Sequence, residues 1–320
     1  MKAMTSKQFG PFDKLRLTDL PTPKPQKNEV QIKVAYAGVN PIDCKIAEGL
    51  VQARMPSDFP LTLGWECSGV VSMVGSDVKK FKVGDHVFVL VWREIIKDGT
   101  FAEFICFDAD KVALMPKNIG FKEAGVIPLT GLTAWQSLVD FGKIKAGQTV
   151  LIHAGAGGIG SMAIQIAKAQ GAKVYTTARA ENHAYVKRFG ADVAIDYTKE
   201  KFADVMNKLE PKGVDIVYDT IGKETLKESV GLVKKGGVLI SITDPLKDID
   251  ADALGIRKEY VFVKSNGKDL SGLAAMIEKG TLQMPTIEEF PLEKAAVALT
   301  KQKSGRVQGK LVLKVSESEN

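Results

Sequence analysis

The stretch TVLIHAGAGGIGSMAIQIAKAQGAKVYTTAR, residues 149–179, decides the fold of this chain. It begins with a short β-branched and apolar run, residues 149–153, which is typical of a buried strand. A glycine turn follows, then residues 161–170 with helical apolar spacing and residues 172–177 as a second strand. This order predicts one βαβ unit of a parallel sheet.

Three glycines of the turn, Gly155, Gly157 and Gly160, fit the pattern G-x-G-x-x-G. In a dinucleotide site the first permits a tight turn, the second lets the backbone approach a pyrophosphate, and the third lets helix and strand pack closely. The helix that follows offers N–H groups and a positive dipole end to the phosphates. The alternative is a glycine-rich turn that only packs. The residues expected to contact the pyrophosphate are Gly155, Ala156, Gly157, Gly158, Ile159 and Gly160.

Size and composition limit the class of protein. At 320 residues the chain is long enough for two domains, and its 45% apolar and 26% charged residues are ordinary for a soluble globular protein. The net charge of +6 is too mild to indicate nucleic-acid binding, although it suits an anionic cofactor. Because the sequence has no long apolar run and no secretory leader, we expect no membrane association and a cytoplasmic location.

Two patterns of secondary structure divide the chain. Residues 1–123 have short alternating runs between glycine turns, such as EVQIKVA at 29–35, and are typical of a β-rich domain. From residue 124 strands and helices alternate, as in a doubly wound parallel sheet. We therefore predict an α/β protein with one domain at 1–123 plus 265–320 and a dinucleotide-binding Rossmann domain at 124–264. The strands expected in the second domain are 149–153, 172–177, 192–195, 214–218 and 237–241.

Several motifs resemble those of the medium-chain dehydrogenase/reductase superfamily. They are LGWECSGVVSMVGSDVKKFKVGDHV (63–87), GTFAEF (99–104), PLTGLTAWQSL (128–138) and SGRVQGKLVL (304–313). VNPIDCK at 39–45 is similar to the V-N-P-x-D-x-K segment of the zinc-free quinone oxidoreductase branch, which includes enone and alkenal reductases. The resemblance implies a β-rich GroES-like catalytic domain together with the Rossmann domain. It also implies hydride transfer from a nicotinamide cofactor to a quinone or an enone.

Other residues stand where the related alcohol dehydrogenases have zinc ligands. The resemblance places Asn40 where those enzymes carry a zinc-binding Cys, and Trp65 where they carry His. The segment WREIIKD, residues 92–98, has none of the four close cysteines of their structural zinc lobe. The three cysteines of the chain are widely spaced, and zinc needs three or four converging ligands. We therefore predict no metal site.

The end of the second strand indicates NADP(H). An NAD site places Asp or Glu there for the ribose hydroxyls, whereas this chain has Arg179, whose guanidinium pairs with a phosphate. The resemblance puts Tyr197 near the adenosine phosphate, with His183 and Arg306 as further candidates. Each also has an ordinary interpretation as a surface or packing side chain. The expected cofactor contacts are completed by Ala178, before Arg179, and by Asp219 and Ile221, at the carboxyl end of the strand 214–218.

Without zinc, a reaction that needs no Lewis acid is favoured. Hydride addition to a quinone or to the β-carbon of an α,β-unsaturated carbonyl needs only hydrogen-bond donors or a cation for the developing oxyanion, and a proton. The resemblance places Lys45 near the nicotinamide ribose and substrate, and Asn40 within reach of either, so these two are the predicted catalytic residues. A solvated surface lysine is the alternative for Lys45. Thr130, at the start of a helix, is expected to contact the nicotinamide carboxamide or the phosphates.

Two other functions fit parts of this pattern. One is an NADPH-binding protein with little turnover, such as a redox sensor or a crystallin-like protein, since a fold does not settle function. The other is a zinc-dependent alcohol dehydrogenase, against which Asn40 and Trp65 argue. The resemblance also implies a homodimer formed at an edge of the cofactor sheet. The apolar strand at 236–240 is either close to that edge or internal.

Overall fold

The structure is a computed structural model that describes residues 1–317. The chain folds into two compact units. The first contains residues 1–132, 264–280 and those from 286 onward, and the second contains residues 133–263 and 281–285. The domain limits expected from the sequence, at 123/124 and 264/265, stay a prediction. In the structure, the first boundary between the two units falls between Leu132 and Thr133, inside the helix that starts at Pro128.

The elements are numbered along the chain. The strands are β1 (Lys2–Ser6), β2 (Arg16–Asp19), β3 (Glu29–Val39), β4 (Ser57–Thr62), β5 (Glu66–Val74), β6 (His86–Leu90), β7 (Ile96–Asp98), β8 (Phe104–Asp108), β9 (Ala113–Leu114), β10 (Thr149–Ile152), β11 (Lys173–Thr177), β12 (Val193–Ile195), β13 (Val214–Asp219), β14 (Val233–Ser241), β15 (Arg257–Tyr260), β16 (Ile287–Pro291) and β17 (Lys310–Lys314). The helices are α1 (Pro41–Ala47), α2 (Phe121–Ala124), α3 (Pro128–Trp135), α4 (Gly158–Ala169), α5 (His183–Arg188), α6 (Phe202–Leu209), α7 (Lys223–Val230), α8 (Ala251–Leu254), α9 (Gly267–Glu278) and α10 (Ala295–Lys303).

The second unit is built on a six-stranded sheet in the order β12-β11-β10-β13-β14-β15. All of its neighbouring strands pair in parallel. The chain starts in the middle at β10, winds outward to β12 on one side and then outward from β13 to β15 on the other. This is the doubly wound arrangement, so the predicted α/β fold class is confirmed.

The edge strand β15 is the element of this sheet that the sequence pattern does not predict. Its sequence is RKEY, and its residues are exposed or half-buried. An edge strand needs neither apolar alternation nor burial on both faces, so the periodicity that identifies the inner strands is missing. The apolar run at 236–240 lies in β14, one strand in from this edge, and is therefore internal.

A row of large buried side chains crosses the sheet of the second unit. Leu151 is paired in register with Tyr175 on one side and with Val217 on the other, and Val217 is paired with Leu239. All four are almost completely buried, and Phe202 of α6 joins the same cluster. Burial of each such side chain stabilises the fold by about 1.5–3 kcal/mol. The row fixes the relative positions of the strand ends that carry the cofactor candidates.

The first unit contains a seven-stranded sheet with the order β16-β17-β3-β5-β6-β9, in which β8 also pairs with β3. The 11-residue strand β3 is its centre, since it pairs with β5, β8 and β17. The register places Leu311 of β17 opposite Val39, and Glu66 of β5 opposite Gly38. Three distant parts of the sequence therefore meet where β3 ends.

A smaller sheet of the first unit has the order β2-β1-β4-β7. Its strands are only three to six residues long, and two of the four, β2 and β4, carry more than one exposed side chain, so the sheet gives no clear period of two in the sequence. The segment at 92–98 contributes β7 to this sheet. Within residues 1–317 no helix has the length and apolar character needed to span a membrane.

Candidate functional site

The glycine turn joins β10 to α4. An added Cβ at Gly155 would lie 2.2 Å from Thr176 Oγ1, and one at Gly160 would lie 2.3 Å from the Ala154 carbonyl oxygen. Close packing therefore requires glycine at both positions. At Gly157 a Cβ would meet only the Ala154 oxygen, at 3.4 Å, so the turn is open there to an approaching group.

The N-terminus of α4 has the features of an anion site. The helix begins at Gly158 with Gly157 as its N-cap, and no side chain within the described range 1–317 caps it. The first N–H groups of such a helix and its positive dipole end stabilise a nearby negative charge. Ala156 is buried and Ile159 half-buried in the same turn. The turn thus fits the pyrophosphate of a dinucleotide.

His153, directly before the turn, is a buried histidine whose two ring nitrogens both have partners. Nδ1 lies 3.1 Å from Thr177 Oγ1, and Nε2 lies 2.8 Å from Ser229 Oγ. The imidazole also makes an edge contact with the Phe202 ring. Burial lowers the pKa of His153 to about 4, although the charge of Asp219 opposes this shift. The sequence gives no local signal for these contacts, because the partners lie 24 and 76 residues away.

At the end of β11, Arg179 lies beside Tyr197. The Nε of Arg179 donates to the Tyr197 hydroxyl at 3.2 Å. A terminal nitrogen of the same guanidinium lies 4.0 Å from Glu181, and the Arg179 side chain is 42% exposed. His183 donates from Nε2 to the carbonyl oxygen of Ala178 at 3.1 Å, which holds α5 to the strand end. The structure therefore brings these four predicted residues together within the second unit.

Asp219 forms the turn that follows β13. Its buried carboxylate accepts hydrogen bonds from the backbone N–H groups of Ile221 and Gly222 at 2.9–3.1 Å. It also accepts from the hydroxyls of Ser241 at 2.9 Å and Thr243 at 3.2 Å. With both oxygens engaged, Asp219 shapes this turn, and the side chain of Ile221 is left 49% exposed at its tip.

In the first unit, α1 begins with a reciprocal cap. The N–H of Asn40 donates to Asp43 Oδ2 at 2.8 Å, and the N–H of Gly64 donates to Asp43 Oδ1 at 3.1 Å. Burial raises the pKa of Asp43 to about 7, against the effect of these two donors. Asn40 itself is 1% exposed, and its contact with substrate or the nicotinamide ribose stays a prediction. Lys45, one turn further along the helix, is exposed.

A buried ion pair lies beside this cap. Lys310 Nζ is 2.8 Å from Glu66 Oε1 and also donates to Asn40 Oδ1 and, at 3.2 Å, to the carbonyl oxygen of Val39. Asn40 Nδ2 donates to the same Glu66 oxygen at 2.9 Å. The other oxygen, Oε2, accepts from the N–H of Leu129 at 2.8 Å, near the start of α3. Both side chains of the ion pair are at most 4% exposed.

The two remaining predicted residues of the first unit have local contacts. The hydroxyl of Thr130 donates to the carbonyl oxygen of Val126 at 2.9 Å, one turn back, and the residue is 2% exposed. Arg306 is exposed, and its N–H donates to Ser304 Oγ at 3.3 Å. Their roles toward a cofactor stay predictions.

The donor chemistry of the described residues does not suit zinc. Among residues 1–317 no group of three or more His, Cys, Asp or Glu side chains is arranged to hold a metal ion. The metal-binding form of cysteine is the thiolate. Burial raises the pKa of Cys44 to about 12 and that of Cys106 to about 11, and it also raises the pKa of Cys67. The side chains of Glu66 and Asn40 already bind the Lys310 ammonium, so a metal ion at these oxygens would compete with that cation.

Comparison with known proteins identifies the family of both parts of the chain. Family profiles match residues 26–117, described as "Alcohol dehydrogenase GroES-like domain", and residues 189–313, described as "Zinc-binding dehydrogenase". The chain is 35% identical to the chloroplastic NADPH-dependent alkenal/one oxidoreductase of Arabidopsis thaliana, over 98% of this chain and 79% of that protein.

Solved structures give the same result. The quinone oxidoreductase from Coxiella burnetii superposes with a TM-score of 0.87 at 35% identity, covering 99% of each chain. The Escherichia coli quinone oxidoreductase complexed with NADPH superposes with a TM-score of 0.88 at 28% identity, covering 98% of this chain and 99% of that one. The fold and the glycine turn define a medium-chain dehydrogenase/reductase. Within that superfamily, the chain belongs to the branch of the quinone oxidoreductases and alkenal/one reductases.

The buried ion pair yields a stability prediction. Lys310→Met leaves the Glu66 carboxylate buried without its counter-charge, so it should lower the free energy of unfolding by about 3–5 kcal/mol. Adding Glu66→Gln should recover part of that loss. The matched control is Lys301→Met, which breaks an ion pair with Glu288 whose side chains are 46% and 47% exposed and should cost at most about 1 kcal/mol. Urea unfolding midpoints measure both; equal losses at the two lysines would contradict the prediction.

The pKa of His153 predicts how stability depends on pH. Because the folded value of about 4 is below the ordinary 6.5, the unfolded chain takes up the proton first. The stability due to neutral His153 is complete above pH ~6.5 and is lost as the pH falls toward ~4. His153→Asn should reduce the loss across this window by on the order of 3 kcal/mol. The raised pKa of Asp43 makes stability change with pH in the opposite direction. Because Asp43 is present in both the wild-type protein and the His153→Asn variant, its effect cancels in the comparison. Urea unfolding at several pH values measures the slopes, and equal slopes would rule the prediction out.

Proposed function

We propose that this protein is an NADPH-dependent reductase that transfers hydride to quinones or α,β-unsaturated carbonyl compounds without a metal. The observation that carries the proposal is the Lys310 ammonium bound to Asn40 and Glu66. It provides a fixed protein cation beside Asn40, the residue that stands where related alcohol dehydrogenases are expected to have a zinc ligand. Alcohol oxidation needs a Lewis acid on the alcohol oxygen, whereas reduction of a conjugated carbonyl does not.

When bound, NADPH supplies the hydride, and this chain's residues bind and orient it. Hydride addition at the β-carbon moves negative charge onto the carbonyl oxygen, which a nearby cation stabilises. We assign that role to Lys45, because it is exposed on α1 and the helix is held rigidly by its buried cap. Asn40, whose amide is bonded to Lys310 and Glu66, is assigned to positioning α1 instead of contacting substrate. Solvent or a side chain supplies the proton.

Arg179 is the proposed determinant of NADPH over NADH. Its bond from Nε to Tyr197 orients the guanidinium, and a 2′-phosphate would bind at the terminal nitrogens, one of which is 4.0 Å from Glu181 in this structure. At this end of β11 the chain presents a cation in place of the carboxylate expected of an NAD site. Tyr197 is 49% exposed, which is consistent with a position at the rim of a cofactor site.

Arg179→Ala should raise KM for NADPH at least about tenfold while changing KM for NADH less than about twofold. The control is Arg188→Ala, which removes an equal charge from α5, where the guanidinium lies over the Tyr185 and Phe189 rings. Steady-state kinetics with each cofactor measure the two constants. A wild-type enzyme that prefers NADH, or equal effects of the two variants, would exclude the assignment.

The reaction itself is tested by following NADPH oxidation with 1,4-benzoquinone and with a 2-alkenal, with and without EDTA. We expect turnover that EDTA leaves unchanged, and none with a simple alcohol and NADP+. Lys45→Ala should lower kcat/KM at least about tenfold, with partial recovery in Lys45→Arg. EDTA-sensitive turnover would indicate a zinc enzyme. Tight NADPH binding without turnover would support the redox-sensor alternative.

The proposal includes a cytoplasmic homodimer. Its support in the fold is the position of β15 at the edge of the cofactor sheet, where a sheet can be extended by pairing with a strand of a second copy. Analytical ultracentrifugation would reject the dimer if only a monomer sediments at micromolar concentration. Fractionation of the source cells would reject the location if the protein is found with membranes or organelles.

A further inference from the structure

The hydrogen bonds around His153 have only one possible direction. The Ser229 hydroxyl donates its single hydrogen to the carbonyl oxygen of Thr225 at 2.6 Å, so Ser229 Oγ must accept from His153 Nε2. Burial keeps the imidazole neutral, which leaves Nδ1 without a hydrogen. The Thr177 hydroxyl therefore donates to Nδ1 at 3.1 Å.

Thr177 connects this chain of bonds to the glycine turn. Its Oγ1 accepts from the N–H of Ala154 at 3.1 Å, and its carbonyl oxygen accepts from the N–H of Gly155 at 3.0 Å. Ala154 in turn accepts from the N–H of Gly157 at 3.0 Å, which closes the turn. The hydrogens of the Thr177 hydroxyl, the His153 ring N–H and the Ser229 hydroxyl are thus each assigned to one acceptor.

Ala154 is the residue that needs this support. Its φ of 52° lies in the left-handed region, which costs a residue with a side chain about 1–2 kcal/mol. A strained backbone persists only when its surroundings hold it. The Thr177 hydroxyl accepts a hydrogen bond from the N–H of Ala154. Thr177 is itself kept in place because the preceding residue, Thr176, is paired in register with Ile152 of β10.

We infer that Thr177, His153 and Ser229 form a positioning relay that holds Ala154 in its left-handed conformation and so fixes the pyrophosphate turn for the cofactor. This inference rests on the proposed NADPH function. The relay connects α7, through Ser229, to the turn, although α7 supplies no residue of the turn itself. None of its three side chains touches the cofactor in this role; they act on binding by keeping the turn formed before the cofactor arrives.

The chain offers a matched set of variants. Thr177→Val removes the hydroxyl at nearly constant volume, and Thr177→Ser retains it. Ser229→Ala removes the acceptor of His153 Nε2 at the far end of the relay. The control is Thr149→Val at the other end of β10. The Thr149 hydroxyl likewise makes two hydrogen bonds, since it donates to Asp215 Oδ2 and accepts from the N–H of Asp215.

Two readouts test the relay in the purified full-length protein. The first is the dissociation constant of NADPH, with the thermal midpoint measured alongside. The second is hydrogen exchange of the backbone amides of residues 154–160 in the absence of cofactor. Thr177→Val should weaken NADPH binding about tenfold and Ser229→Ala about threefold, with faster exchange of the turn in both. Their double variant should weaken binding by less than the product, because both changes interrupt one relay.

The expected results for the controls are equally specific. Thr177→Ser should stay within about twofold of wild type for NADPH binding, and Thr149→Val should lower the thermal midpoint while leaving both turn exchange and NADPH binding unchanged. If Thr177→Val and Ser229→Ala behave like Thr149→Val, the residues are merely structural and the relay is rejected. If the wild-type protein does not bind NADPH, the proposed function fails. The exchange measurement then still decides for or against the relay.

Discussion

The ion pair between Lys310 and Glu66 is the interaction on which the first unit depends. Removing two charges from water costs several kcal/mol per ion, and only a close partner and full hydrogen bonding offset that cost. Here both conditions are met, because the Lys310 ammonium has three oxygen acceptors and the two Glu66 oxygens receive the amide of Asn40 and the N–H of Leu129. The pair therefore fixes β17, β5, the cap of α1 and the start of α3 at one point. A shift in any of them would leave a buried charge unpaired.

The sequence predicts the fold well where burial imposes a period. The inner strands β10, β11, β13 and β14 each end in a run of three or more buried residues, and the glycine turn identifies how the first two are joined. The edge strand β15 and the short strands of the small sheet escape prediction, because exposed or brief strands carry no such pattern. Their pairing depends on partner strands that are distant in sequence, and the periodicity of a single strand carries no information about those partners.

The same distinction applies to the site. Residues in local motifs, such as Arg179 two positions beyond β11, are found from the sequence, and the structure places Tyr197 against it. Lys310 and His153 show no comparable signal, because each gains its meaning from distant partners; Lys310 is 244 residues from Glu66. Asn40 is found from the sequence as a site residue. Its burial against Lys310 and Glu66 appears only when the sheet register is known, and this burial is the reason for proposing a positioning role.

The use of both Glu66 oxygens and both polar atoms of the Asn40 amide restricts which residues position 40 of this chain can hold. Replacing Asn40 by cysteine would remove an acceptor from the Lys310 ammonium and set a thiol beside a cation already neutralised by Glu66. A metal ion entering there would meet that ammonium as a like charge. The residues at positions 40, 66 and 310 therefore constrain one another, and a change at one of them is expected to cost stability unless its partners change as well.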